Sequence, residues 1–397
     1  MPAAPIQTDP LEIRPLDGRR EFRAFASFPW TLYRGDPLWV APLLSDRLRD
    51  LDPLRGEFFA KGGAARLFGA WRGGRLVGTI AAAEDVPANR REGTRHCMFG
   101  FFEYYDDREA AAALLEAVAA WGRDRGLLDM WGPFNFDYEN AYGVLVEGRD
   151  RPPALLCGHT PAYYLDTMES LGFAPARDDN LAFEVRLDAP IRDREHLSRL
   201  AALARERGGY LVRPFDPERY EEAVDEVWGL LNVALRHLRG FVPYERSTVE
   251  ALLSPFRRFA DPDLVLFAEK AGRVVGFFPA IPNLNEALIG LRGLRRARDW
   301  LRLPFAFRRR WRSATIKSVL VHPDHWGSGV AAILFEEMLS RLEARGREGR
   351  GFEWLDLSLT SEENPQTPIL AARFGGRIYK RYRTYIRGIA KPGITLP

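Results

Sequence analysis

The chain has 397 residues, of which 46% are hydrophobic and 28% are charged, and its formal net charge is +3. At about 150 residues per domain, this length predicts two or three domains, and the composition is typical of a globular protein rather than a disordered or collagen-like one. Two cysteines exclude a disulfide framework and a cysteine-based zinc site, and the small net charge excludes nucleic-acid binding through bulk charge.

In chain order, the first strong signal is a β-hairpin that occurs twice. Residues 65–83 and 263–281 each consist of an apolar run, a turn containing glycine (GRLVG or GRVVG) and a second apolar run. Glycine permits the positive φ that tight turns require. Because the two hairpins lie half a chain apart, we interpret the chain as a tandem duplication.

Each hairpin is followed by a helix and a strand in the same order. The spacing of apolar residues at i, i+3, i+4 and i+7 predicts helices over 108–126 and 330–346, and strands follow each of them. The predicted fold class is therefore α/β (α+β), with two tandem units that are each a mixed, mainly antiparallel twisted sheet flanked by helices. The predicted division is a tail at 1–10, a first unit at 11–188, a linker or helix at 189–208 and a second unit at 209–390.

The second unit contains a loop that is suited to binding a phosphate. A β-branched strand at 319–321 leads through Pro323 into Gly327, Ser328 and Gly329, and a helix follows directly. A glycine loop between a strand and a helix N-terminus directs backbone N–H groups at an anion, and the helix dipole adds to the attraction. By themselves, glycines at such a turn are equally typical of a purely steric role.

This stretch resembles the acyl-CoA-binding motif of the GNAT acyltransferase superfamily. In that motif a strand and a proline precede Arg/Gln-x-x-Gly-x-Gly/Ala, which opens a helix. Gly329 and Ala331 fall on the two small-residue positions, whereas Trp326 stands where the family has Arg or Gln. The resemblance implies that acyl-CoA is a co-substrate, without a permanently bound cofactor or metal. It also implies that acyl-CoA contacts Leu320, Val321, Trp326, Gly327, Ser328, Gly329, Val330, Ala331 and Asn364.

The first unit resembles the same fold but has no Gly-x-Gly between its hairpin and its helix. It is therefore expected to be a divergent unit that has lost CoA binding. The resemblance covers most of residues 11–387 and extends to bacterial proteins with two such units in tandem.

Transfer of an acyl group to an amine requires a group that accepts the amine proton. The candidates are Asp356 on the predicted strand at 352–361, Glu363 just after that strand, and His322 at the end of the preceding strand. Each has a structural alternative, because Asp356 could be a salt-bridged strand residue, Glu363 a helix cap and His322 a turn residue.

A second catalytic group would protonate the CoA thiolate. Members of the family often carry a tyrosine for this purpose, where the present chain has Ala371. Tyr382, which lies in a cluster with Tyr379 and Tyr385 on the last predicted strands, is the candidate replacement.

The second unit also carries an arginine-rich insert at 291–313. It contains nine arginines and one acidic residue, Asp299, together with Trp300, Trp311 and several Leu and Phe residues. Basic residues between Trp, Phe and Leu favour a segment that lies in an anionic membrane interface. The alternatives are a helical lid over the active site, whose arginines are solvated or meet CoA phosphates, and contact with RNA; nucleic acid is the less favoured partner.

These patterns predict an acyl-CoA-dependent N-acyltransferase. In its large, tandem, aromatic-rich form the chain resembles bacterial ceramide synthases of this superfamily, which implies a long-chain lipid amine such as a sphingoid base as acceptor. The alternatives are N-acetylation of a small or peptidic amine, or a non-catalytic acyl-CoA-binding or membrane-binding module. No signal pattern and no uncharged apolar run of about 20 residues is present, so we expect a cytoplasmic protein, peripheral at the inner membrane at most.

Overall fold

The computed structural model describes residues 9–136, 142–189, 191–237, 243–254, 257, 260–308, 310–317, 319–363, 371–372 and 374–389. The strands of the first half are β1 (Leu11–Pro15), β2 (Ala64–Arg72), β3 (Arg75–Glu84), β4 (His96–Tyr104), β5 (Asp129–Gly132), β6 (Val144–Glu147), β7 (Ala174–Pro175) and β8 (Asn180–Arg186). Its helices are α1 (Gly18–Ser27), α2 (Pro29–Leu32), α3 (Leu44–Asp50), α4 (Glu57–Ala60), α5 (Val86–Glu92), α6 (Arg108–Asp124) and α7 (Tyr163–Ser170).

The second half repeats the plan. Its strands are β9 (Leu211–Pro214), β10 (Val265–Lys270), β11 (Arg273–Pro279), β12 (Ile281–Pro282), β13 (Ser313–Ile316), β14 (Leu320–Val321), β15 (Trp354–Ser361), β16 (Arg377–Arg383) and β17 (Tyr385–Gly388). Its helices are α8 (Arg194–Gly208), α9 (Tyr220–Ala234), α10 (Arg246–Leu253), α11 (Asn285–Leu288), α12 (Ala297–Phe307) and α13 (Val330–Arg347).

The two predicted hairpins are β2–β3 and β10–β11, and both are antiparallel pairs. The first turns at Gly73 and Gly74, whose φ values of 53° and 75° lie in the left-handed region that favours glycine. The predicted fold class, two tandem units of mixed, mainly antiparallel sheet flanked by helices, is confirmed. The described strands form a seven-stranded sheet in the first half, and a six-stranded and a four-stranded sheet in the second.

Strands of each half belong to a sheet of the other half. The last strand, β17, lies between β5 and β7 in the seven-stranded sheet of the first half. Conversely, two strands of the first half belong to a six-stranded sheet of the second half: β8 lies between β15 and β16, with Glu184 opposite Asp356, and β6 pairs with β16. The two halves are therefore interlocked, and the division at 189–208 stays a prediction about chain order.

Helices cover the apolar faces of these sheets. In the first half, Leu114 and Val118 of α6 pack in one cluster with Val77 and Ile80 of β3. In the second half, α13 packs against β10, β11, β13 and β15, and α9 covers Phe267 and Phe277 from another side. Full burial of each such side chain stabilises the fold by about 1.5–3 kcal/mol, so these clusters stabilise each half.

The arginine-rich insert forms α12 and the residues on either side of it. Pro304 lies inside α12 and the helix continues to Phe307, so the proline does not end it at once. The insert is anchored on the first half, because Trp30 donates its indole N–H to the carbonyl oxygen of Arg292 at 2.8 Å and the Arg295 guanidinium lies over the same ring.

Candidate active site

The second half opens between two neighbouring parallel strands. β13 runs parallel to β15 as far as the pair Ile316 and Leu357, and β14, the next strand after β13, pairs instead with β11. The chain therefore leaves β15 after residue 316, and β14 and β15 belong to different sheets beyond this point. We call the space between these two strands the cleft.

Backbone groups of β14 face the cleft. His322 donates its N–H to the carbonyl oxygen of Val275 in β11 at 2.8 Å. Because successive residues of a strand direct their backbone groups to opposite sides, the N–H and carbonyl of Val321 point away from β11, into the cleft. The indole N–H of Trp326 donates to this carbonyl at 3.0 Å. The tryptophan at the family's Arg or Gln position thus binds the strand and remains 53% exposed.

The N-terminus of α13 is open to an anion. Gly327 and Gly329 have φ values of 74° and 90°, which residues with a side chain rarely adopt. Gly329 is the N-cap residue of the helix. The helix has no side-chain cap and no acidic residue in its first turn, and Ala331 is exposed. A Cβ at Gly329 would lie 2.4 Å from the Cβ of Ala204 on α8, so glycine is required there for packing as well.

The equivalent helix of the first half is closed to an anion. The Asp107 carboxylate caps α6 by accepting from the N–H of Ala110 at 3.1 Å, and Arg72 pairs with Asp107 at 2.7 Å. Arg72 also pairs with Glu109 in the first turn. The N–H groups at this helix end are therefore held by the protein's own carboxylate.

The cleft of the first half is also closed. Phe134 donates its N–H to the carbonyl of Phe99 at 2.9 Å, and the Asn135 side chain accepts from the N–H of Phe101 at 2.7 Å. A Cβ at Gly100 would lie 1.5 Å from the Phe134 carbonyl oxygen. The backbone after β5 thus occupies the space that remains open in the second half.

Asp356 lies fully buried beside the cleft of the second half. Its carboxylate accepts from the hydroxyl of Tyr379 at 2.9 Å and from the hydroxyl of Ser358 at 2.8 Å. Burial raises the pKa of Asp356, while the charge of Lys317 and these hydrogen bonds oppose the shift. A buried carboxylate with a raised pKa and a hydrogen-bonded path outward is suited to accept a proton.

Residues 148–157 of the first half cover the face of the six-stranded sheet on which Asp356 lies. Lys317 donates to the carbonyl of Leu155, and the fully buried Lys380 donates to the carbonyls of Gly148 and Arg151. Burial lowers the pKa of Lys380 to about 8. Leu355 and Leu357, on the opposite face of β15, pack toward α13. Asp356 is therefore enclosed between the sheet of one half and residues 148–157 of the other.

Cys157, from the same segment, lies close enough to Lys317 and Asp356 for their charges to affect the pKa of its thiol. Burial raises the pKa of its thiol to about 11, so the thiol is protonated near neutral pH.

Two of the four predicted catalytic residues, Asp356 and Tyr382, lie close enough to interact electrostatically, whereas His322 and Glu363 lie in separate turns. Asp356 lies with Lys317, Ser358 and Tyr379, and we call these four residues together with Lys380 the cluster. Tyr382 is fully buried beside Cys157. His322 lies at the turn after β14, where its ring nitrogen accepts from the N–H of Asp324 at 3.3 Å. Glu363 is exposed in the turn after β15, with its N–H bonded to the Ser361 hydroxyl at 3.2 Å.

The predicted acyl-CoA contacts also differ in placement. The residues that lie together along β14 and the start of α13 are Leu320, Val321, Trp326, Gly327, Ser328, Gly329, Val330 and Ala331. The last predicted contact, Asn364, lies outside the described residues.

Sequence reasoning missed Lys317, and it named Tyr379 only as a member of the tyrosine cluster with Tyr382 and not as a partner of Asp356. A usable signal for Lys317 was its position as a lone cation directly after the strand residues 313–316 and before the glycine loop. No comparable signal indicated that Tyr379 would contact Asp356, because this contact depends on the pairing of β16 with β8.

The chain is similar to known proteins over most of its length. A model of the Acetyltransferase (GNAT) family matches residues 232–360, the range that contains the cleft, Lys317 and Asp356. The chain is 30% identical over 384 residues to the protein named bacterial ceramide synthase of Caulobacter vibrioides (strain NA1000 / CB15N), and the match covers 96% of this chain and 98% of that one. The chain belongs to the GNAT family.

Two further similarities span nearly the whole chain. Protein YghO of Escherichia coli (strain K12) is 27% identical over 384 residues, which cover 95% of each chain. A solved tandem GNAT protein from the clavulanic acid biosynthesis pathway has a TM-score of 0.54 at 14% identity and covers 96% of this chain and 99% of its own. This second similarity shows that the tandem fold is shared.

This GNAT protein is an N-acyltransferase, and acyl-CoA is its co-substrate with an amine as acceptor. Within the described residues, no helix is both long and apolar enough to span a bilayer.

Proposed function

We propose that this N-acyltransferase moves an acyl group from acyl-CoA to the primary amine of a long-chain lipid, with a sphingoid base as the favoured acceptor. The observation that carries the proposal is the buried Asp356 beside a cleft whose other wall ends in the uncapped helix α13. The name of the full-length relative, a ceramide synthase, supports the lipid acceptor.

In this mechanism the N-terminus of α13 holds the CoA pyrophosphate with the backbone N–H groups after Gly329. The N–H of Val321, which faces the cleft, donates to the thioester carbonyl and stabilises the oxyanion that forms during attack. Holding thioester and amine together in the cleft supplies much of the acceleration.

Asp356, which is itself fully buried, then accepts the proton of the attacking amine through the hydroxyl of the half-buried Tyr379. The C–N bond forms, the C–S bond breaks and CoA leaves as a thiolate that must be protonated. Glu363 and His322 lie at exposed turns, so they are the weaker candidates for the base.

We also propose that α12 contacts the surface of an anionic membrane and brings the enzyme to its lipid acceptor. Trp300, Leu301 and Phe305 are 54%, 75% and 73% exposed on this helix. Arginines flank them, and each arginine near an anionic surface adds about 1 kcal/mol of attraction. A groove of about 560 Å³ between α11 and α12 is lined by Ile289, Leu291, Arg302, Phe305 and Arg310, among others.

The acceptor is tested with a matrix of two donors and two amines. Palmitoyl-CoA and acetyl-CoA are each combined with sphinganine and with a peptide bearing a free amine, and CoA release is followed with a thiol reagent. Turnover with palmitoyl-CoA and sphinganine supports the proposal. Turnover with acetyl-CoA and the peptide alone would replace it with N-acetylation, and binding of acyl-CoA without turnover of any pair would indicate a non-catalytic module.

The membrane contact is tested with vesicles of phosphatidylglycerol and of phosphatidylcholine. The triple variant Trp300→Ser, Leu301→Ser, Phe305→Ser should lose binding to phosphatidylglycerol vesicles. A control that removes exposed leucines elsewhere, Leu54→Ser with Leu211→Ser, should retain it. Equal binding of both variants would contradict the membrane role, and slower turnover of a water-soluble amine by the triple variant would favour a lid.

A further inference from the structure

Lys317 occupies the point at which the two parallel strands separate. It directly follows β13, whose last pair with β15 is Ile316 and Leu357, and Ser358 directly follows that pair on the other strand. The Lys317 ammonium donates to the Ser358 hydroxyl at 3.4 Å and to the Leu155 carbonyl of the first half. The ammonium is therefore held at the inner end of the cleft.

A continuous hydrogen-bonded path leads from this ammonium to the candidate base. Lys317 donates to the Ser358 hydroxyl, and the Ser358 hydroxyl donates to the Asp356 carboxylate at 2.8 Å. The path connects a group that can release a proton with a group that can accept one. The hydroxyl between them can pass a proton, because it is both a donor and an acceptor.

Lys380, a second cation near Asp356, is placed differently from Lys317. Lys380 is fully buried and donates to two carbonyls of the first half, Gly148 and Arg151. Lys317 is partly exposed and directly follows β13, at the edge of the cleft. Of these two lysines, Lys317 is therefore the one that can reach a leaving group.

We propose that Lys317 is the general acid that protonates the departing CoA thiolate, and that Ser358 relays the proton from Asp356 back to Lys317. The inference rests on the proposed function. Attack of the amine transfers one proton to the Asp356 carboxylate as the C–N bond forms. Breakage of the C–S bond transfers one proton from the Lys317 ammonium to sulfur. Transfer from Asp356 through the Ser358 hydroxyl to the Lys317 amine then restores both groups, and no other reactant is consumed.

The proposal assigns the first half a part in catalysis. Its Leu155 carbonyl accepts from the Lys317 ammonium and so positions the acid, and Leu155 lies 162 residues away in the chain. The interlocked strands hold this segment against the sheet, which gives a physical reason for keeping a half whose own cleft is closed.

The test compares two acyl donors in Lys317→Met and Lys317→Arg. One donor is palmitoyl-CoA, and the other is the palmitoyl thioester of 4-nitrothiophenol, whose thiolate leaves without needing a proton. Loss of the acid should lower kcat with palmitoyl-CoA about 100-fold or more, but should change the rate with the aryl thioester only a few-fold. An equal loss with both donors would overturn the assignment.

Lys317→Arg separates proton donation from simple charge. Arginine keeps the positive charge but retains its proton at any accessible pH, so we expect it to be as slow as Lys317→Met with palmitoyl-CoA. Wild-type turnover of the arginine variant would replace the acid role with electrostatic stabilisation. Unchanged acyl-CoA affinity and melting temperature are the controls for folding.

Ser358→Ala tests the return path independently. The first turnover should proceed at nearly the wild-type rate and later turnovers should be slower, which gives a burst of product before the steady state. A first turnover that is slowed as much as the later ones would overturn the relay. If the wild-type enzyme acylates no amine with either donor, the proposed function itself fails, which is a different result from an unchanged donor ratio.

Discussion

Placing a carboxylate at the exposed start of α13 should weaken acyl-CoA binding without weakening the fold. Ala331 lies in the first turn of this uncapped helix and is exposed, so Ala331→Glu meets no packing obstacle. An acidic side chain in a first turn stabilises a helix by about 0.3–1 kcal/mol through the helix dipole. Loss of binding in this variant would therefore report on the anion site and not on unfolding.

The size of the effect follows from the charges. A carboxylate about 5 Å from a phosphate charge is repelled by about 0.8 kcal/mol at the dielectric of water and by about 3 kcal/mol at an effective dielectric of about 20. Since about 1.4 kcal/mol corresponds to a factor of ten, we expect Kd for acyl-CoA to rise between about 4-fold and about 100-fold. The increase should shrink as salt screens the charges.

Calorimetry at low and high salt measures this effect. Ala60→Glu, on an exposed position of α4 in the first half, adds the same charge at a different helix and should leave Kd unchanged. Gly329→Glu is a poorer variant, since its left-handed φ and the contact with Ala204 would strain the fold. An unchanged Kd for Ala331→Glu at low salt would refute the placement of the pyrophosphate at this helix.

Three further predictions follow from buried charges. Asp356→Asn should lower kcat about 100-fold or more while the Kd for acyl-CoA stays the same, which separate kinetic and binding measurements can check. Because burial raises the pKa of Asp356 above its usual value of about 3.9, kcat/KM should fall on acidification at a pH above that value; an acidic limb at or below it would contradict the role as base. Arg72→Ala should cost about 3 kcal/mol in urea unfolding because it leaves the buried Asp107 carboxylate unpaired, and Arg14→Ala, at the more exposed pair with Glu21, should cost much less.

The local elements of this protein were predictable because their signals are local. The turns at Gly73 and Gly272 mark the two hairpins, and the apolar period marks α6 and α13. The glycine loop before α13 indicated the anion site, because a strand, a tight turn and a helix start are contiguous in the chain. The duplication followed from the order of these elements, and the GNAT fold from the resemblance of this loop to the acyl-CoA motif of the family.

The composition of the active site was decided by the tertiary structure. Asp356 was a candidate by its place on a strand, but its partner Tyr379 meets it across β8, a strand from the other half of the chain. Lys317 is held by Leu155, which is remote in sequence. The exchange of β8 and β17 depends on pairing between distant strands, and the alternation of apolar residues within a strand is the same whichever sheet the strand joins. The sequence therefore determined the elements and the family, whereas the pairing of distant strands determined which side chains surround the reacting groups.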